Sequence, residues 1–101
     1  MEAEASRLAM ATVRRHVWIQ GRVQGVNFRN AAKQVADQLH LTGWVKNLPD
    51  GRVEAVFEGA GDALEQVLTW CRHGPPASRV EELQVQAEPA TGEFLRFVVL
   101  R

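Results

Sequence analysis

Two stretches of helical apolar spacing, with a hairpin signal between them and strand-like runs on either side, constrain this chain more than any other feature. Phe28, Ala31 or Ala32, Val35 and Leu39 recur every three to four residues from 28 to about 40, and Leu64, Val67, Leu68 and Cys71 repeat the pattern. Asn27 is placed to cap the first helix and Gly43 lies just past its end; Asp62 is placed to cap the second, and Gly74-Pro75-Pro76 stops it. Between the helices, the WVKN and RVEAVFE runs flank Leu48-Pro49-Asp50-Gly51, where Pro49 presets φ and Gly51 accepts positive φ, the chemistry of a β-turn. His16 to Val23 is β-branched and aromatic enough for a first strand; Val80, Leu83, Val85 and Ala87 suggest another with imperfect alternation, and Phe94 to Leu100 a last one after the Pro89–Gly92 turn. The order is β-α-β-β-α-β plus an extra edge strand. That split βαβ pattern predicts an α+β, ferredoxin-like fold: a mainly antiparallel sheet with two helices on one face.

At 101 residues the chain has room for one domain and none for a separate cofactor domain. We place it at 14–101, with 1–13 as an N-terminal extension expected to be flexible, since termini fray unless tied down. Cys71 is the single cysteine, so no internal disulfide forms, and neither a signal-peptide core nor a membrane span is visible. A cytoplasmic location is expected. Twelve Lys and Arg cancel twelve Asp and Glu, which argues against nucleic-acid or membrane partners recruited by bulk positive charge. The charge is nonetheless uneven: no acidic residue lies between Glu4 and Asp37, a stretch holding Arg7, Arg14, Arg15, Arg22, Arg29 and Lys33. An anion site belongs there if anywhere.

The chemistry-bearing residues are few. His16, His40 and His73 show no metal-ligand spacing, and no HExxH, CxxC or GxxxxGK[ST] occurs. Cys71 falls on an apolar stripe and reads as core, while Trp18, Trp44 and Trp70 read as core or sheet-face residues. What remains is the loop Gly21-Arg22-Val23-Gln24-Gly25-Val26-Asn27-Phe28-Arg29 between the first strand and helix. Two glycines allow close backbone approach, successive N–H groups can converge, and a helix N-terminus adds a positive dipole. Arg29 brings a planar fork that grips two phosphate oxygens. By itself the loop is equally a plain turn with a surface arginine.

A second stretch alters the balance: Gly43-Trp44-Val45-Lys46-Asn47, followed by Gly51, Val53 and Gly59. With it the chain resembles the acylphosphatases. Their first signature, G-x-V-Q-G-V-x-F-R after an apolar residue, is matched by Ile19 and by Gly21 through Arg29. Their second, G-W-V-x-N-x-x-x-G-x-V-x-x-x-x-x-G, is matched by Gly43 through Gly59. The similarity spans roughly residues 14–101. It implies hydrolysis of the carboxyl–phosphate bond of a small acyl phosphate, with inorganic phosphate as product and inhibitor, no metal and no cofactor. It further implies that Arg29 binds the phosphoryl group with loop amides from Arg22, Val23, Gln24, Gly25, Val26 and Asn27, and that Asn47 positions the attacking water. Asn27 stands at the variable position of its motif and inherits no side-chain role. A monomer is expected. The alternative is a non-catalytic anion- or RNA-binding module on the same scaffold, disfavoured by the missing tyrosines, the missing RNP1-type pattern and zero net charge.

Overall fold

In the computed structural model, which describes residues 11–101, β1 (Thr12–Arg22) is an interior strand, between β4 and β3, of a five-stranded sheet ordered β4-β1-β3-β2-β5. Residues 1–10, most of the expected extension, lie outside the described residues. Helix α1 (Phe28–Gln38) follows β1; β2 (Thr42–Asn47) and β3 (Val53–Ala60) form the hairpin; α2 (Gly61–Cys71) leads to β4 (Arg79–Glu88) and the short β5 (Phe97–Val99). All pairings are antiparallel except β2 with β5. This is the ferredoxin-like order expected, with β5 as the extra edge strand.

Alternation decides the faces. Val17 and Ile19 of β1, Val45 of β2 and Val53, Ala55 and Phe57 of β3 are buried on one side of the sheet. Phe28, Ala32 and Ala36 of α1 and Leu64, Val67 and Cys71 of α2 pack with them in one core. The Cys71 thiol is fully buried there, and burial pushes its pKa up to about 12, so it is an inert core group. On the opposite face His16 stacks on Trp18, 4.0 Å between ring centroids, with Trp44 edge-on at 5.9 Å.

Several boundaries differ from the sequence expectation. Strand β1 begins at Thr12, paired with Ala60, because Arg14 finds a buried partner across the sheet: its Nε donates to Glu58 at 2.8 Å. Helix α1 ends at Gln38 and Gly43 has no part in stopping it. His40 takes the left-handed turn (φ 59), its N–H donating to Asp37 at 3.1 Å and that of Leu41 to Ala36 at 2.8 Å, the paired bonds of a Schellman stop. Gly43 lies inside β2 instead, where an added Cβ would fall 1.9 Å from the Val56 carbonyl oxygen. Asp62 does not cap α2; the N-cap is Ala60, and Asp62 sits in the first turn accepting from the Ala63 N–H at 2.8 Å. The imperfect alternation of β4 comes from a register shift opposite Gln20 and Gly21, which lets Val80 and Leu83 both pack on the core. Strand β5 is shorter than expected because Phe94 stays with the preceding loop, under the Arg14 guanidinium at 4.8 Å.

That loop is fastened by Glu58, which is 2% exposed. Its carboxylate accepts from Arg14, from the Thr91 N–H at 3.2 Å and from the Gly92 N–H at 2.7 Å. Burial alone pushes its pKa up; the hydrogen bonds outweigh that and leave the carboxyl below its ordinary range.

Candidate active site

The β1–α1 junction is built around two anchored aromatic and aliphatic plugs. Val23 and Phe28, at either end of the loop, are both buried, and the Phe28 ring packs against Trp70 of α2 with centroids 5.2 Å apart. Between them the main chain takes left-handed conformations at Gly25 (φ 73) and Asn27 (φ 67). An added Cβ at Gly25 would meet nothing within 4 Å, so backbone conformation, not space, calls for glycine there.

Asn27 occupies the N-cap position of α1 but does not cap it. Its side chain makes no cap hydrogen bond; its Oδ1 accepts from Asn30 Nδ2 at 3.1 Å, and the left-handed backbone turns it from the helix end. The first turn holds no acidic residue either. Among the described residues, the first backbone N–H after Arg22 with an acceptor outside the strand ladders is that of Ala31, at 3.1 Å from Asn27 O. The junction therefore presents an uncapped helix N-terminus and a run of unused amides, the arrangement that favours an anion.

Arg29 and Asn47 line one cavity of about 110 Å³, together with Gly25, Asn27 and Asn30, over Val23 and Phe28. Arg29 projects from the first turn of α1, and its Nη1 donates to the Leu100 carbonyl at 2.9 Å, which ties the guanidinium to the chain beyond β5. A guanidinium has five N–H donors, so this tether leaves others for a ligand. Asn47 is the last residue of β2, and its Oδ1 is buried without a hydrogen-bond partner among the described residues. Burying an acceptor unpaired costs about 1–3 kcal/mol. Among the described residues, no carboxylate lines the cavity.

Of the expected loop residues, Val23, Gly25 and Asn27 reach the cavity wall; Arg22, Gln24 and Val26 do not. Arg22 is exposed and pairs with Arg79, and Val26 packs toward the core. Gln24 points to the hairpin turn, where its Nε2 donates to Leu48 O at 2.7 Å and Arg52 O at 2.9 Å. Asn30 lines the cavity without having been anticipated, although its i+3 spacing from Asn27 was a signal for a shared face. A larger groove of about 810 Å³, walled by Val13, Arg15, Leu64, Leu68 and Arg72, lies between β1 and α2 and shares no residue with this site.

Fold and site together define a ferredoxin-like α+β protein with a small cavity at a strand-to-helix junction, lined by an arginine and suited to an anion. Comparison with known proteins narrows this. The family model described as Acylphosphatase matches residues 15–99. The acylphosphatase of Syntrophobacter fumaroxidans is 55% identical over 86 residues, covering 85% of this chain and 89% of that protein. The acylphosphatase of Gloeobacter violaceus is 55% identical over 93 residues, covering 91% of this chain and 99% of that protein. The crystal structure of acylphosphatase from Bacillus subtilis superposes with a TM-score of 0.85 at 36% identity, over 88% of this chain and 99% of that one. The chain belongs to the acylphosphatase family, and it is an enzyme of that kind in preference to a binding module on the same scaffold.

Proposed function

We propose that this enzyme holds the phosphoryl group of a small acyl phosphate on Arg29 and the loop amides, and that Asn47 aligns the water that attacks phosphorus. The Asn47 Oδ1 carries this reading: it is a buried acceptor without a partner among the described residues, on a residue that lines the same cavity as Arg29. Water supplies the donor that Oδ1 lacks, and the adjacent Nδ2 can donate to a phosphate oxygen. Arg29 meets two phosphoryl oxygens with parallel N–H groups, and the uncapped end of α1 adds dipole and amides where negative charge gathers.

The water oxygen forms a bond to phosphorus as the bond from phosphorus to the acyl oxygen breaks. The carboxylate leaves with that electron pair, and the water's proton passes to the phosphate. Products are a carboxylate and inorganic phosphate. In phosphoryl transfer the protein mainly positions reactants and stabilises charge on the equatorial oxygens, so an arginine, a ring of amides and one aligning carboxamide suffice. Inorganic phosphate, which fits the same cradle, acts as an inhibitor. Zero net charge supports the absence of nucleic-acid and membrane partners, a lone cysteine fits a cytoplasmic location, and the motifs call for no partner surface, in keeping with a monomer; no helix among the described residues is long and apolar enough to cross a membrane.

The test is turnover of benzoyl phosphate by wild type and Asn47→Ala without added metal. The substitution lowers kcat by at least 100-fold and leaves the Ki for inorganic phosphate within a few-fold, because alignment acts on the transition state and not on the bound anion. Equal losses in kcat and phosphate affinity would reassign Asn47 to phosphate binding; unchanged kcat would remove it from the mechanism.

A further inference from the structure

Gln24 belongs to the phosphate loop by sequence, yet its side chain faces away from the cavity and spans to the β2–β3 turn. Its carboxamide nitrogen donates both hydrogens there, to Leu48 O at 2.7 Å and Arg52 O at 2.9 Å. Each of these carbonyls already accepts one main-chain N–H: Leu48 O from Gly51 at 3.1 Å, and Arg52 O from Leu48 at 2.8 Å. Gln24 fills the second acceptor position of both and closes the base of the turn.

The place of this tie in the sheet gives it meaning. The ladder between β1 and β3 ends at Ile19 with Val53, and the ladder between β2 and β3 ends at Asn47 with the same Val53. Beyond that row the phosphate loop and the hairpin turn project side by side with no further strand pairing between them. Asn47 stands on the last row, one peptide before Leu48. Its carboxamide and the loop that holds the phosphoryl group are thus fixed relative to each other by the ladder behind them and by Gln24 in front. A displacement near 1 Å at a reacting centre is enough to cost about 100-fold in rate.

We infer that Gln24 is a positioning residue that sets Asn47 against the phosphate loop and acts on turnover through Asn47 alone. The inference rests on the roles proposed above for the loop and for Asn47.

The test is a double-mutant cycle on the full chain with benzoyl phosphate as substrate: Gln24→Met, Asn47→Ala and the double variant, with kcat, the Ki for inorganic phosphate and the melting temperature measured for each. Methionine keeps the length and volume of the side chain and removes both donors. Gln24→Met lowers kcat ten- to a hundred-fold with the phosphate Ki within about two-fold of wild type, and adds less than about two-fold to the loss in the Asn47→Ala background. A merely structural role would lower kcat by the same factor in both backgrounds, and that result overturns the inference. So does a wild-type kcat in Gln24→Met, or a phosphate Ki that worsens in step with kcat. If Asn47→Ala itself turns over normally, the assignment of Asn47 fails first, and the two failures are told apart by that single variant. Should Gln24→Met melt below the assay temperature, Gln24→Asn replaces it in the cycle: it keeps the amide but is a methylene too short to reach both carbonyls.

Discussion

Replacing Arg29 by lysine separates charge from geometry at the proposed phosphate cradle. The guanidinium already commits Nη1 to the Leu100 carbonyl at 2.9 Å, and its remaining N–H groups are free to form a two-pronged grip on the phosphoryl oxygens. A lysine ammonium keeps the positive charge but has three donors on one atom. It cannot hold the Leu100 tether and two phosphoryl oxygens in a fixed fork at once. At about 1.5–3 kcal/mol for each hydrogen bond involving a charged group, losing the second prong and the tether together removes about 3 to 6 kcal/mol of transition-state stabilisation. That corresponds to roughly a 10²- to 10⁴-fold fall in kcat/KM. The assay is benzoyl phosphate hydrolysis followed in the ultraviolet, with competition by inorganic phosphate. The phosphate Ki rises alongside, since part of the grip is already made to the bound anion. A kcat/KM within ten-fold of wild type, with an unchanged phosphate Ki, would refute the bidentate role and leave Arg29 as a source of field alone.

Two further outcomes follow from other parts of the structure. Glu58→Gln destabilises the fold by about 3 kcal/mol, because Arg14 loses its buried counter-charge and an amide NH₂ is placed against the Thr91 or Gly92 N–H; calorimetry measures this. Since the folded-state pKa of Glu58 is depressed, its contribution is complete above the ordinary glutamate value near 4.3 and is lost as pH falls through the folded value; wild type loses stability on acidification more steeply than Glu58→Gln, and equal slopes would discount the pair. On the catalytic side, no carboxylate, histidine or thiol among the described residues lines the cavity, so kcat/KM on benzoyl phosphate stays within about three-fold from pH 6 to 8, and a bell-shaped profile in that range would reveal an acid or base of the enzyme.

The element order was legible in the sequence because each helix buries a regular stripe and the strands are β-branched runs bounded by turn residues, signals that depend only on near neighbours. What escaped depended on partners far along the chain. The β-branched and aromatic run that marks the first strand starts only at His16, and the pairing of Arg14 with Glu58 shows why β1 begins earlier, at Thr12. Gly43 looked like a helix stop by composition, but it is needed where β2 and β3 approach too closely for a Cβ, and His40 bears the left-handed strain instead. Asn27 had the residue type of a cap, yet its own left-handed backbone directs the side chain to Asn30. At the site, the two motifs named Arg29 and Asn47, and the fold brings both to one cavity. The Gln24 tie was not legible, because its carboxamide meets carbonyls 24 and 28 residues away.

Neutral chemistry at the cavity wall also sets what the enzyme can cleave. With Arg29 the only charged lining residue among the described ones, none of these groups can protonate a departing oxygen. A carboxylate, whose conjugate acid has a pKa near 4, leaves as an anion without help. An alkoxide, whose conjugate acid is about as weak as water, does not. Selection for acyl phosphates over alkyl phosphates is then a property of the leaving group, imposed by what the site lacks, and it requires no shaped pocket for the acyl chain. This is consistent with how the fold spends its residues. The loop between Val23 and Phe28 and the end of β2 lie just past the last paired row of the sheet, where main-chain amides escape the ladder and side chains can still be held from behind. A scaffold that offers amides, one fork and one carboxamide at that edge is sufficient for a substrate whose own carboxylate completes the chemistry.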